Sequence, residues 1–98
     1  VEMILEADLS GRPWESGVKD GIFVYAKIVD HNKQVIHDFS GQVTFEVSGD
    51  AALIGDTSPP VEGGIATALI MAGEEPDEIT LKAVSGSLQS APLIIRTK

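Results

Sequence analysis

The sequence predicts an all-β protein, an antiparallel β-sandwich of about seven strands. Apolar residues recur at every second position in almost every segment, which is the period of a strand with one buried face. No segment shows the 3.6-residue period of a helix longer than a turn, and clusters of Gly, Pro, Asn, Asp and Ser separate the segments. The chain has 98 residues, which is the size of one small domain.

The clearest strand runs from Gln42 to Ser48, where Val43, Phe45 and Val47 alternate with polar residues. The same alternation, followed along the chain, predicts six further strands, each with one face in the core. In chain order the predicted strands lie near Glu2 to Ala7, Gly21 to Val29, Gln42 to Ser48, Ala52 to Ile54, Ile65 to Ala72, Glu78 to Val84 and Leu88 to Thr97.

Turn residues mark the breaks between these strands. The breaks lie at 10–13, 30–33, 48–50, 58–60, 72–77 and 85–87, and each contains Gly, Pro, Asn or Asp. Short strands joined by such loops are typical of an immunoglobulin-like sandwich. The chain has no cysteine, so the disulfide of antibody domains is missing and the prediction depends on the strand pattern.

The charge of the chain narrows the classes of partner. Lys and Arg number 7 against 15 Asp and Glu, for a formal net charge of -8, so the surface repels nucleic-acid phosphates and anionic lipid headgroups. No apolar run approaches the length of a membrane span. The chain begins at Val1 without a basic and apolar leader. We expect residues 1–98 to form a single domain excised from a larger multidomain protein.

Three segments carry a family resemblance: FVYAKIVDHNKQVI, QVTFEVSGDAALIG and EGGIATALIMAGEEPDEITLKAVSGSL. An alternating strand ends in Asp30, a strand of the VTFEV kind follows, and a strand of glycine and small residues precedes a closing ITLKA segment. The pattern resembles the immunoglobulin-like accessory domains near the C-terminal end of bacterial glycoside hydrolase family 2 enzymes, which are β-galactosidase-like. It is also similar to bacterial immunoglobulin-like domains of the invasin and intimin type.

The resemblance to the hydrolases implies a non-catalytic module, because their catalytic carboxylates belong to a separate barrel domain. It also implies other domains of the parent polypeptide as partners and a periplasmic or secreted location. We predict no catalytic residue, no cofactor and no metal ligand. The acidic residues of the 72–77 turn and its border are interpreted as a solvated turn, with a calcium site as the alternative. They are Glu74, Glu75, Asp77 and Glu78.

Strand alternation also predicts an interaction surface. If Val24, Ala26 and Ile28 face the core, the residues between them face outward. Neighbouring strands then bring the outward apolar residues together, and a contiguous apolar stripe marks an interaction site. The predicted interdomain docking residues are Phe23, Tyr25, Val29, Ile65, Leu69 and Met71. The alternative is that a bulge or covering loops remove this stripe from solvent.

The leading hypothesis is a non-catalytic structural module of a secreted multidomain glycoside hydrolase, docked on its neighbouring domains. One alternative is a carbohydrate-binding module in which Trp14 or Tyr25 stacks on a polysaccharide. Trp14 lies in the first long loop, where it could instead cover an open end of the sandwich or dock on a neighbouring domain. The other alternative is an immunoglobulin-like spacer of a bacterial surface adhesin.

Overall fold

The computed structural model describes residues 2–9, 11–39 and 41–98, and the regular elements within them are β-strands. The first residue of the predicted 10–13 turn, Ser10, lies outside these ranges. In the described residues, no helix is long and apolar enough to cross a lipid bilayer. The strands are β1 (Glu2–Asp8), β2 (Gly21–Val29), β3 (Thr44–Ser48), β4 (Ala51–Ile54), β5 (Ile65–Ala72), β6 (Glu78–Ser85), β7 (Leu88–Gln89) and β8 (Leu93–Arg96).

The strands form two antiparallel sheets. The first sheet has the order β1-β2-β5-β4, and in the second sheet β6 pairs with β3 on one side and with β7 and β8 on the other. This is the strand arrangement of a constant-type immunoglobulin domain. The prediction of an all-β, immunoglobulin-like sandwich is therefore confirmed.

The core lies between the inner faces of the two sheets. Val24 and Ile28 on β2 and Ile70 on β5 have no exposed surface, and Phe45 on β3 belongs to the same cluster at 5% exposure. Full burial of one such side chain stabilises the fold by about 1.5–3 kcal/mol. The fully buried core also includes Ala26, Val43, Ile79 and Ala83.

The last predicted strand is divided in two by a bulge, so that the described residues form eight strands instead of the predicted seven. Between the last pair of β7 and the first pair of β8, three residues, 90–92, face only two residues of β6, 82 and 83. Ser90 stabilises this point: its amide donates to the Ala83 carbonyl, and its hydroxyl accepts the Ala83 amide, both at 2.9 Å. Pro92 in the bulge has no N–H to donate to a ladder.

A tight turn at Gly49 carries the chain from the second sheet to the first. Its φ is 106°, and a Cβ there would lie 2.7 Å from the carbonyl oxygen of Glu78, so only glycine fits. The next residue, Asp50, donates its amide to Asp77 and accepts the amide of Glu75, both at 2.9 Å. The turn is thereby joined to the loop between β5 and β6.

Candidate functional site

The outer face of the first sheet carries most of the predicted docking residues. Phe23 on β2 pairs with Leu69 on β5, and Leu69 pairs with Ile54 on β4, so these side chains form one row across the sheet. Phe23 is 50% exposed and Ile54 44%. Met71 follows in the next row, opposite Gly21, which has no side chain. We call Phe23, Ile54, Leu69 and Met71 the apolar surface.

A concavity of about 450 Å³ lies beside the apolar surface, with walls from β1, β2 and β5. Tyr25 occupies its middle row, paired with Glu6 on one side and with Thr67 on the other. Lys27 lies two positions further along β2, and its Nζ contacts Oε2 of Glu6 at 2.8 Å. We call this site the Tyr25 concavity; its lining residues are Glu6, Ala7, Asp8, Tyr25, Lys27, Ile65 and Thr67.

The structure divides the predicted docking residues between these two sites. Phe23, Leu69 and Met71 belong to the apolar surface, whereas Tyr25 and Ile65 line the Tyr25 concavity. The outer face of the first sheet therefore has an apolar part and a mixed polar part, which differ in the ligands they suit.

Val29 lies in neither site, because it is only 2% exposed. Strand β2 ends at Val29, and a turn held by the Asp30 side chain folds the chain back, so that Val35 forms a bridge with Val29. The prediction that Val29 faces solvent is wrong because the chain returns beside it. Strand alternation alone carries no information about such a return.

Trp14 is 1% exposed and belongs to the core cluster. Its indole Nε1 donates to the carbonyl oxygen of Asp20 at 2.8 Å, and its own carbonyl accepts the amide of Lys98 at 2.9 Å. A ring buried in this way has no face to offer a sugar, so the interpretation of Trp14 as a glycan contact is wrong. Trp14 instead fills the core and ties its loop to the C-terminal segment.

A salt bridge holds the loop around Trp14. Arg12 Nη1 lies 2.5 Å from Oδ2 of Asp20, and the same oxygen accepts the amide of Glu15 at 3.0 Å. These two hydrogen bonds, first that of Arg12, lower the pKa of Asp20 below its ordinary value. The charge on Asp20 therefore stabilises the folded loop.

The predicted acidic turn has a structural role at Asp77. Its carboxylate accepts the amides of Asp50 and Glu78, and these bonds lower the pKa of Asp77. The amide of Asp77 in turn donates to the hydroxyl of buried Thr97 at 2.8 Å. Within the described ranges, no three His, Asp or Glu side chains are grouped closely enough to hold a metal ion. The Asp77 carboxylate thus joins backbone segments at one end of the sandwich.

Sequence reasoning missed Ile54 as a member of the apolar surface. The short strand at 52–54 was predicted, and the half-burial of Leu53 shows that Ile54 must face outward. The alternation does not indicate which strand lies next to β4. Pairing of β4 with β5 places Ile54 beside Leu69.

Comparison with known proteins gives the family. The model of the glycoside hydrolase family 2 C-terminal domain 5 matches residues 5–94. No curated protein sequence matches the chain. The match confirms the resemblance to the C-terminal accessory domains of these enzymes.

Solved structures share the fold at low sequence identity. A glycosyl hydrolase family 2 member from Bacteroides cellulosilyticus has a TM-score of 0.86 at 20% identity, over 99% of this chain and 14% of that protein. A beta-glucuronidase from glycoside hydrolase family 2 has a TM-score of 0.89 at 16% identity, over 100% of this chain and 11% of that protein. A beta-glycosidase from Bacteroides vulgatus has a TM-score of 0.83 at 20% identity, over 99% of this chain and 14% of that protein.

This chain thus spans a small share of each of these proteins, and their other parts have no counterpart in it. The family model, in contrast, matches most of the chain. We conclude that the chain belongs to the glycoside hydrolase family 2 C-terminal domain 5 family.

Proposed function

We propose that this chain is a non-catalytic accessory domain of a multidomain glycoside hydrolase and that it docks on a neighbouring domain of the same polypeptide through the apolar surface. The observation that carries the proposal is the row of Phe23, Leu69 and Ile54 on the outer face of the first sheet. A sandwich of this size needs apolar residues on its inner faces only, so an apolar row on an outer face indicates a partner.

The chemistry of the apolar surface supports a protein partner. None of its four side chains carries a charge or a hydrogen-bonding group that a partner would have to match. Phe23 and Ile54 keep about half of their surface in solvent. Burial of apolar area contributes about 25 cal/mol per Å², and the interfaces between domains of one chain cover about 600–1,500 Å². An interface centred on these residues would therefore hold the domain in one orientation.

The structural matches support a neighbouring domain as the partner. The matched glycosidases are far longer than this chain, which covers 11% to 14% of them. A domain tethered to its partner binds at high effective concentration, so even a modest apolar contact suffices for docking.

The carboxylates support a non-catalytic role. Glycoside hydrolysis needs two carboxyl groups about 5–10 Å apart on either side of a bound sugar. Here the carboxylates of Asp20 and Asp77 accept backbone amides, and that of Glu6 pairs with Lys27. These groups hold loops and strands in place, and the chemistry belongs to another domain.

The test compares two matched substitutions on opposite outer faces, Phe23→Asp on the first sheet and Ile94→Asp on the second. Both residues are exposed, at 50% and 56%, so Ile94→Asp should cost the 98-residue chain little stability. Phe23→Asp places a carboxylate opposite Asp8 on β1, so its effect on the 98-residue chain is measured first and serves as the baseline. In the longer polypeptide that carries the domain, we expect Phe23→Asp to lower the melting temperature of the domain and to expose its linkers to protease, because it removes the docking contact. Ile94→Asp should do neither.

The proposal fails if Phe23→Asp has the same effect in the longer polypeptide as in the 98-residue chain. It also fails if Ile94→Asp is as harmful as Phe23→Asp, because the interface would then not be specific to the first sheet. Calorimetry of the domain transition and timed proteolysis provide both readouts.

A further inference from the structure

The two sheets have four edges, of which three are covered, interrupted or short. Residues 57–60 run along the edge of β3, where the amide of Phe45 donates to the carbonyl of Thr57 at 3.0 Å. The bulge and Pro92 interrupt the edge formed by β7 and β8, and β4 has only four residues. Strand β1 is different, because it pairs with β2 over seven residues without a bulge, a proline or a glycine. Its other side is thus a long and regular sheet edge.

The open edge of β1 presents the backbone groups of Met3, Leu5 and Ala7. Ile28 on β2 donates its amide to Gly64, next to β5, so the backbone groups of Ile28 point away from β1. Met3 lies opposite Ile28 in the ladder, and its N–H and C=O therefore point away from β2. This direction alternates along a strand, so Leu5 and Ala7 repeat it. Within the described ranges, no strand pairs with β1 on this side.

A cavity of about 290 Å³ lies beside the open edge, between β1 and the segment of β7 and β8. Met3 and Leu5 line it from the first sheet, and Leu88 and Leu93 line it from the second. These two leucines are half-buried and pack against the core. A strand added to β1 would direct every second side chain into this cavity, because residues opposite Met3 and Leu5 share their face of the sheet. Apolar residues at those positions would extend the core.

The outward side chains of β1 select the charge of an added strand. Glu2 and Glu6 lie four positions apart on this face, and β1 has no basic residue. Each forms a salt bridge, Glu2 with Lys33 and Glu6 with Lys27, and both lysines belong to β2 or to the turn after it. An added strand would lie about 4.8 Å from β1 and twice as far from β2, so the glutamates would be its nearest charges. A carboxylate has about four acceptor positions and can contact a second ammonium.

We propose that the open edge of β1 binds an extended segment of a partner protein as an added antiparallel strand. The segment carries apolar residues opposite Met3 and Leu5, and lysine or arginine opposite Glu2 and Glu6. Main-chain hydrogen bonds supply affinity in this mode of recognition, and alternate side chains supply specificity. A second copy of this chain fits poorly, because each copy has a net charge of -8 and would bring glutamates to the edge. The site does not depend on the docking proposed for the apolar surface.

The test is an NMR titration of the 15N-labelled 98-residue chain with the capped peptide Thr-Lys-Val-Thr-Val-Lys-Thr, which matches the spacing of the two glutamates. It should cause saturable shifts of the amides of Met3, Leu5 and Ala7. A peptide with glutamate in place of both lysines should bind at least about tenfold more weakly. A peptide with both valines N-methylated should not bind, because it lacks the donors that face β1 in an antiparallel ladder. These controls use the wild-type chain, so no variant has to fold.

Two matched variants test the charge on the protein. Glu6→Gln should weaken binding of the lysine peptide by about threefold, whereas Glu46→Gln, on the outer face of the second sheet, should leave it unchanged. The proposal is overturned if the lysine peptide gives no saturable shifts at the open edge, or if either control peptide binds as tightly. It is also overturned if the same amides shift with protein concentration in the absence of peptide, because a second copy would then occupy the edge.

Discussion

The outer faces of the two sheets differ in chemistry, although both inner faces are apolar. On the first sheet, Phe23, Leu69 and Ile54 form an apolar row across three strands. On the second sheet, the outer face carries a pair of opposite charges, with Glu46 on β3 directly opposite Lys82 on β6. Cross-strand pairs of opposite charge stabilise a sheet that faces water.

The polar character of the second sheet continues to its edge. Glu78 on β6 pairs with Arg96 on β8, and their side chains form a salt bridge of 3.2 Å. Among the described residues, Ile94 is the large apolar side chain that this face exposes, and single apolar residues on a surface are ordinary. The difference shows that the sandwich fold requires apolar residues on its inner faces and tolerates either apolar or charged residues on its outer faces. The apolar row on the first sheet is therefore the basis of the proposal that this face contacts a neighbouring domain.

The largest expected effect separates inner from outer aromatic residues. Phe45 is 5% exposed in the core, and Phe45→Ala should lower the free energy of unfolding by about 3–5 kcal/mol, because it opens a cavity. Phe23→Ala on the outer face of the first sheet should lower it by less than about 1 kcal/mol. Urea denaturation of the 98-residue chain measures both. Equal losses would show that Phe23 contributes to folding as much as the core residue Phe45 does, which would contradict a role of Phe23 in docking alone.

A second prediction concerns the bulge at the edge of the second sheet, where the Ser90 hydroxyl, instead of a backbone carbonyl, accepts the Ala83 amide. Ser90→Ala should cost about 1–3 kcal/mol, because the buried amide of Ala83 would lose its acceptor. Ser87→Ala, in the exposed turn before β7, is the matched control and should change stability by less than about 0.5 kcal/mol. A loss of similar size in both variants would mean that the bulge does not depend on the Ser90 hydroxyl.

The smallest expected effect is on the pH dependence of stability. It concerns one end of the sandwich, where the carboxylate of Asp77 binds backbone amides. Hydrogen bonds from the amides of Asp50 and Glu78 lower the pKa of Asp77 below its ordinary value of 3.8. A carboxylate with a lowered pKa stabilises the fold at any pH above its ordinary value, and this contribution is lost as the pH falls further. The melting temperature should therefore decrease below about pH 4.

The check is the melting temperature of Asp77→Asn as a function of pH. This variant should melt lower than the wild type at neutral pH, and its melting temperature should vary less on acidification. Asp38→Asn, in an exposed loop, removes the same charge and should keep the wild-type pH dependence. If both variants follow the wild-type curve, the Asp77 carboxylate is not a source of acid sensitivity.

Much of the fold could be predicted from local pattern. The bounds of β2 and β5 agree with the prediction to the residue, since buried and more exposed residues alternate along both strands up to Ile28 in β2 and throughout β5. The last predicted strand failed at Ser90, where a side chain competes with the backbone ladder and inserts an extra residue. The alternation pattern does not reveal this bulge, because the apolar residues before and after it have the pattern of one continuous strand.

The candidate sites could be predicted only in part. Phe23, Leu69 and Met71 come together as expected, because alternation and the usual order of a sandwich suffice for neighbouring strands. The sequence left Trp14 open between a sugar contact, a cover for an end of the sandwich and a docking residue. Its burial excludes the sugar contact, and that burial depends on how a loop without periodicity crosses the core. For the Tyr25 concavity the sequence predicts that Tyr25 and Ile65 face outward, but not which polar groups surround them, because the walls come from three strands that are distant in the chain.

By itself the sequence determined the strands, the direction in which most of their side chains point, and the family. The physical reason is that the two-residue period of a strand comes from the local backbone geometry, so a segment of a few residues is enough to detect it. The tertiary structure alone decided which outward residues meet: Ile54 beside Leu69, Glu6 and Thr67 around Tyr25, and Val29 under the returning chain. These contacts join segments far apart in sequence, where pairing and loop closure, and not local period, determine the outcome.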